Sequence, residues 1–175
     1  MESKLPYIEQ SPKIKGTIKM IVRRPDIDLR EELESADLNA EEGIVGDSWK
    51  NRPSSKTEDG SPHPGTQLTL MNSRCIEMIS PDRHRWKLAG DQFFVDLDLS
   101  DENLPAGSRL RLGTAEIEVS AIPHNGCLKF AERYGRDAVL FVNSKLGKKL
   151  HLRGLNATVI KSGKVRKGDI IELID

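Results

Sequence analysis

The chain has 175 residues, the length of one ordinary domain and enough to bury a core without disulfide or metal staples. Lysine plus arginine and aspartate plus glutamate number 27 each, so the formal net charge is zero. That balance argues against general nucleic-acid or membrane-surface binding, both of which need a basic excess. No apolar run approaches a membrane span, and "MESKLPYIEQSPK" lacks the apolar stretch of a signal peptide. Two cysteines, Cys75 and Cys127, form neither a disulfide framework nor a CxxC motif, which points to a reducing cytoplasm.

Taken in chain order, "IKGTIKMIV" (14–22) alternates with period two and predicts a half-buried strand, with Ile14, Ile18, Met20 and Val22 on one face. "DLREELESADL" predicts a short helix between Arg23 and Asn39, and "EEGIVGDSW" carries glycines suited to tight turns. Residues 50–66, "KNRPSSKTEDGSPHPGT", are rich in Pro, Ser, Gly and charge, and predict a long, mobile loop of the functional or disordered kind. "TQLTLM" is a strand, and "NSRCIEMIS" a short helix capped by Asn72 or Ser73 and ended by Pro81. Cys75 falls among the apolar positions of that helix, as a buried core thiol.

"DQFFVDLDLS" alternates, with Phe93, Val95, Leu97 and Leu99 on one side. "SRLRLGTAEIEVSAIP" gives a hairpin around Gly113-Thr114, its inward set being Leu110, Leu112, Ala115, Ile117, Val119 and Ala121. "DAVLFVNSKLG" is helical with Gly147 as its stop. In "LNATVIKSGKVRKGDIIELI", Ser162-Gly163 turns one strand back and Lys167-Gly168-Asp169 leads into the last. Strands outnumber helices and are antiparallel by their turns. The expected fold is mainly β with a few short helices, a barrel-like single domain over 1–175 with its core at about 14–173.

The chemistry concentrates in "PHNGCLKFAERYGRDA" (123–138). Pro123 and Gly126 break what precedes Cys127, and Leu128, Ala131 and Tyr134 then recur at helical spacing until Gly135. A thiol at a helix N-terminus loses its proton more readily, and thiolate is the nucleophilic and metal-binding form. His124, three residues upstream, pairs with the sulfur or donates to a ligand in this reading, and Lys129 and Arg133 add positive charge along one helix face. Against it stands the plainer account: free cysteines are often buried, and isolated histidines and lysines are ordinary surface. The residues alone leave the two accounts even. There is no phosphate-binding GxxxxGK[ST] loop, no GxGxxG fingerprint and no HExxH zinc helix. "DLDLSDENLPAG" fails as a calcium loop at Asp101 and Gly107.

"NLPAGSRLRLGTAEIEVSAIPHNGCLKF" followed by "LRGLNATVIKSGKVRKGDIIEL" resembles a MOSC domain, the C-terminal domain of molybdenum-cofactor sulfurases and their stand-alone relatives. "EEGIVGDSW" and "QLTLMNSRCIEMI" fit the weaker early motifs, so the resemblance spans about Ile14 to Leu173. It implies a barrel-like β fold, and a cysteine at Cys127 that carries sulfur or ligates molybdenum in a pterin cofactor. It further implies that Asn125, Lys129, Arg133 and Arg153 serve an anionic pterin phosphate, with His124 beside the cysteine. The chain departs from the family at Gly46-Asp47-Ser48-Trp49, where relatives carry a "GDRH"-like stretch, and at "AGDQFFVDLDL", which lacks an Arg-x-Asn element. It has no room for the pyridoxal-phosphate desulfurase domain associated with the family, so a separate cysteine desulfurase would supply any sulfur.

The expected function is therefore a stand-alone MOSC protein holding a molybdenum-pterin cofactor or carrying sulfur on Cys127, acting on a small N-hydroxylated molecule or handing sulfur onward, without nucleic acid or membrane. Two alternatives remain: a metal-free Cys127–His124 thiol enzyme, and a non-catalytic binding module using the 50–66 loop or the basic end at Lys161, Lys164 and Arg166.

Overall fold

A computed structural model describes residues 2–174. In chain order its elements are α1 (Leu5–Glu9), β1 (Lys15–Arg23), β2 (Glu31–Leu33), β3 (Ser35–Asn39), β4 (Gly43–Ile44), β5 (Leu68–Asn72), α2 (Ser73–Ile79), β6 (Phe93–Asp96), β7 (Arg109–Leu112) and β8 (Ala115–Val119). There follow α3 (Leu128–Tyr134), α4 (Arg136–Val142), α5 (Lys145–Lys149), β9 (Leu155–Lys161), β10 (Gly163–Arg166) and β11 (Ile170–Ile174). Hydrogen bonding runs β11-β7-β8-β9-β5-β6-β1, and β11 pairs again with β1, so seven strands close into a barrel. Closure removes the unpaired edges that an open sheet would present. The mainly β, barrel-like fold expected from the strand pattern is the one observed.

Two apolar clusters lie on the two sides of the barrel wall. Ile18, Ile21, Leu70, Phe93, Val95 and Ile117 belong to the interior; Met20, Met71, Cys75, Phe94, Phe130 and Val142 pack outside it, under the helices. Strand β5 is therefore buried at every position, as expected of a strand covered on both faces. The expected common face of Ile18, Met20 and Val22 is not observed. The β1–β6 register shifts between Ile18 and Met20, and this bulge turns Met20 and Val22 outward while Ile21 takes the inward place. Gly16 is required on β1 because a Cβ there would collide with the carbonyl of Asp96.

Other expectations are corrected by tertiary pairing. "DLREELESADL" is not a helix but β2 and β3. Ala36 and Leu38 are buried in the barrel cluster while Ser35 and Asp37 face out, a period-two pattern that burial rewards over the helix propensity of Glu and Leu. Ser162-Gly163 does not fold β10 back on β9; β10 crosses to pair with β3 in a separate three-stranded sheet. One pair, β5–β6, is parallel, with α2 and the 3-10 helix Arg83–Ala89 forming the crossover. Gly147 does not stop α4; it lies inside α5, against the carbonyls of Phe141 and Val142 where a side chain would clash. Ala121 is exposed rather than inward.

The predicted cap holds: Asn72 accepts from the N–H groups of Arg74 and Cys75, and its amide reaches Ser11 and the carbonyl of Leu97. The 50–66 segment is not a bare loop. It begins and ends in 3-10 turns, Trp49–Asn51 and Pro64–Thr66, and His63 caps the second by accepting from Gly65 N–H at 3.0 Å. The basic C-terminal lysines are matched across the sheets: Lys161 faces Glu116, Lys164 faces Asp37 and Lys167 faces Glu34.

Candidate functional site

Cys127 and its neighbours sit on a segment pinned at both ends by asparagines. Asn156 donates to the Ile122 carbonyl at 2.9 Å. Asn143, the C-cap of α4, accepts from Gly126 N–H at 2.8 Å and donates to the Gly126 carbonyl at 2.9 Å. The segment is thus held without regular secondary structure of its own, by side chains that bind the backbone polar groups of Ile122 and Gly126.

Cys127 is the N-cap residue of α3 and is exposed; its thiol makes no capping hydrogen bond. Leu128, read from spacing as an apolar contact, is 82% exposed, and the helix instead anchors by Phe130. Lys129 and Arg133 do share a neighbour, but it is Asp28, at 4.0 and 3.4 Å, and Arg133 also donates to the Leu88 carbonyl at 2.6 Å. Cys75 is a buried thiol, as expected. It donates to the Leu152 carbonyl at 3.2 Å, and burial pushes its pKa up to about 12.

His124 does not pair with Cys127. Its Nε2 lies 2.9 Å from Asp91 Oδ1, and Arg153 donates to Asp91 Oδ2 at 2.5 Å. Asp91 is fully buried and Arg153 is 5% exposed, so the pair is held inside the wall, with Arg153 also donating to the Ala89 carbonyl and lying 4.8 Å over the Phe130 ring. Burial works against a charge on Asp91, but Arg153 and His124 together outweigh it and hold the carboxyl below its ordinary range. Burial, then the Arg153 charge, pushes His124 down, so the imidazole is neutral near pH 7. Arg153 is thus foremost a structural partner of Asp91, although its Nε has no partner among the described residues. Gly154 follows at a φ of +111°, where a Cβ would clash with the Leu70 carbonyl and stand 3.3 Å from His124 Cδ2.

A second buried pair flanks the same corner. Asp47 accepts from Arg24 N–H at 2.7 Å, Nε at 3.1 Å and Nη2 at 2.8 Å, while Arg24 Nη1 donates to the Gly90 carbonyl at 3.2 Å. Asp47 belongs to the "GDSW" departure and Asp91 to the "AGDQFF" departure, so both departures are occupied by carboxylates that tie down arginines. Gln92, next in line, is also internal: it accepts from Thr69 N–H at 2.8 Å and donates to the Gln67 carbonyl.

Around these pairs gather cations with less compensation. Arg30 and Arg52 have no carboxylate within ion-pair reach among the described residues, and Arg30 Nε is buried without a partner. Burial lowers the pKa of both, and neighbouring arginines lower it further: Arg133, Arg24 and Arg52 around Arg30, and Arg24 near Arg52. A cleft of about 420 Å³ opens between the 52–66 segment and residues 122–125, with Arg24, Arg52, Lys56, His63, His124 and Asn125 in its lining. A second, of about 390 Å³, shares the 122–125 wall and is lined by Lys148, His151, Arg153 and the apolar Val119, Val142 and Leu155. Both fall in the size range of small-ligand sites. Of the residues named from sequence, His124, Asn125 and Arg153 come together here; Cys127 stands just beyond, and Lys129 and Arg133 turn to Asp28. Asp91, Asp47, Arg24, Arg30 and Arg52 were not foreseen. The one signal for them was the paired Arg23-Arg24 at the end of an apolar strand.

Comparison with known proteins decides the family. A model of the MOSC domain matches residues 81–172, more than half of the chain. The chain belongs to the MOSC domain family. Among solved structures it is similar to the YuaD protein from Bacillus subtilis, with 19% identity and a TM-score of 0.65 over 91% of this chain and 96% of that one. YiiM from Escherichia coli aligns at 22% identity and a TM-score of 0.58, over 91% of this chain and 70% of that one. YiiM from Geobacillus stearothermophilus aligns at 14% and 0.57, over 94% and 75%. No curated protein matches the chain by sequence. Among the described residues no helix is long and apolar enough to cross a membrane, and no three His, Cys, Asp or Glu side chains cluster as a metal site.

Proposed function

We propose that this MOSC protein acts as a stand-alone binder of a molybdenum-pterin cofactor, with Cys127 as the protein's sulfur ligand to the metal. The observation that carries this reading is an exposed thiol two residues along the chain from a cleft wall whose lining includes Arg52 and Lys56, two cations without a carboxylate partner among the described residues. Arg52 is held close to Arg24 at a cost, and a phosphate entering the cleft would relieve that repulsion. These features fit the anionic end of such a cofactor. Arg52 and Lys56 would hold its phosphate, and Asn125 would offer an amide that has no partner among the described residues. Because no cluster of three protein donors is present among those residues, the remaining donors to the metal would come from the pterin itself.

When bound, the group supplies redox chemistry suited to small N-hydroxylated substrates in the cytoplasm. The chain's own part is to bind, orient and partly desolvate. A second reading, a sulfur carrier charged by a cysteine desulfurase, is favoured by the same exposure of Cys127, which leaves the thiol open to a protein partner. Metal analysis of protein made in a cofactor-competent host tests the first. Molybdenum is expected in the wild type, lost in Cys127→Ala, and reduced several-fold in Arg52→Glu. Absence of molybdenum from the wild type, or its full retention in Cys127→Ala, would overturn the cofactor reading. A persulfide on Cys127 after incubation with a desulfurase would support the second.

A further inference from the structure

Asp91 carries a consequence for His124 that neither reading requires. Asp91 Oδ2 takes the Arg153 guanidinium and Oδ1 lies 2.9 Å from His124 Nε2. An ionised carboxylate has only acceptor sites, so a neutral ring must place its single hydrogen on Nε2. The Cδ2 edge of the ring is turned to Gly154, and Nε2 is occupied, which leaves the Nδ1–Cε1 edge to face away from the wall. The side chain keeps 19% exposure and lines both clefts, and Nδ1 has no partner among the described residues.

We propose that Asp91 is a positioning residue that fixes His124 as the Nε2–H tautomer, so that Nδ1 presents a lone pair to the clefts and accepts a hydrogen bond from a ligand bearing an N–H or O–H donor. The charged groups acting on the ring are Asp91, Arg153 and Arg24, and Arg52, Lys56, Lys148, His63, His151 and Asp101, the last paired with His151, line the same clefts. Burial and the Arg153 charge oppose protonation of Nδ1, which keeps the lone pair available. His124 therefore accepts where the sequence suggested that it donates. A ligand offering only acceptors to this edge meets a lone pair and is disfavoured, whereas an N-hydroxylated compound brings a suitable donor. Only the choice of such a compound rests on the cofactor reading; the tautomer belongs to the chain itself.

The test is long-range 1H–15N NMR on 15N-labelled protein without cofactor, at about pH 8, above the ordinary histidine range. His124 Nε2 is expected in the protonated range and Nδ1 in the lone-pair range, with a wider separation than in exposed His84. Acetohydroxamic acid, which carries N–H and O–H donors, should move Nδ1 toward the protonated range; acetate should not. A hydrogen found on Nδ1, or an equal response to acetate and the hydroxamate, would overturn the proposal. In the double variant Asp91→Leu, Arg153→Met, which removes both buried charges together, the separation should fall to that of His84. An unchanged separation would show that Asp91 does not set the tautomer. Failure to bind molybdenum would leave each of these results intact, so the two proposals fall separately.

Discussion

Replacing Asp91 by asparagine keeps the volume of a fully buried side chain and removes its charge. Arg153, 5% exposed, then keeps a guanidinium inside the wall with no counter-charge. Breaking a buried pair from one side costs about 3–5 kcal/mol, because the partner's desolvation is no longer offset. The asparagine amide still accepts one hydrogen bond, from Arg153 or from His124, which places the expected loss nearer 3 than 5 kcal/mol on that same scale. Against a total stability of about 5–15 kcal/mol, that is a large share. Removing the second charge as well, in Asp91→Asn, Arg153→Met, should recover at least half of the loss, since a thioether packs against Phe130 without a desolvation penalty. Urea unfolding followed by far-UV circular dichroism measures the two variants against the wild type, with the slope checked for two-state behaviour. A loss below about 1 kcal/mol in the single variant, or a double variant no more stable than the single one, would refute the account of Asp91 and Arg153 as a buried, mutually dependent pair.

Thiol reagents should modify Cys127 alone in the native protein and Cys75 only on unfolding, since Cys75 is sealed, hydrogen-bonded to Leu152 and pushed up to about 12; comparable native labelling of both would contradict this. His124 is depressed in the fold, so the unfolded chain binds the extra proton: its contribution to stability is complete above about pH 6.5 and is lost as pH falls, and His124→Gln should flatten the acid limb that begins there in urea titrations. Asp91, also depressed, adds a second loss that starts below about pH 4. Gly154→Ala should cost more than about 1 kcal/mol and shift the His124 NMR signals, because its Cβ meets the Leu70 carbonyl at a φ that side chains avoid; a neutral effect would mean the 153–155 turn yields easily.

Much of the barrel was legible because period-two alternation in β7 and β8 is a direct image of a wall with one dry face. Where the second face is also dry the image blurs: Phe94 alternates outward yet is buried under Trp86, at a ring separation of 6.0 Å. The bulge after Ile18 left no mark in the sequence, since Ile, Met and Val suit either face. The stretch "DLREELESADL" favours a helix by composition, and only the mouth of the barrel, where Ala36 and Leu38 pack, makes it strand. At the site, Cys127 and His124 stood out because their residue types are chemically loaded. Asp91 and Asp47 did not, because a carboxylate announces burial only through the arginine it meets, and Arg153 and Arg24 lie 62 and 23 residues away.

The zero net charge is a sum over pairs that are unevenly distributed in space. On the outer sheets the pairs close locally: Lys15 with Glu172, Arg111 between Glu172 and Glu116, Lys161 with Glu116. At these exposed positions each is worth little, and Lys161 and Lys164 at the basic end already face Glu116 and Asp37. At the mouth of the barrel the bookkeeping differs. Asp47 and Asp91 are committed inside the wall to Arg24 and Arg153, and Asp28 is shared by Lys129 and Arg133, so Arg30 and Arg52 are left facing each other's field. A chain with no overall preference for anions thereby acquires one at a single place, beside its one exposed thiol. If that local excess is what draws a ligand, Arg52→Glu should abolish binding of an anionic probe at the cleft, while Lys164→Glu, equal in charge change but on the outer sheet, should leave it unaltered. Equal losses from the two variants would mean that total charge, and not the cluster, sets the affinity.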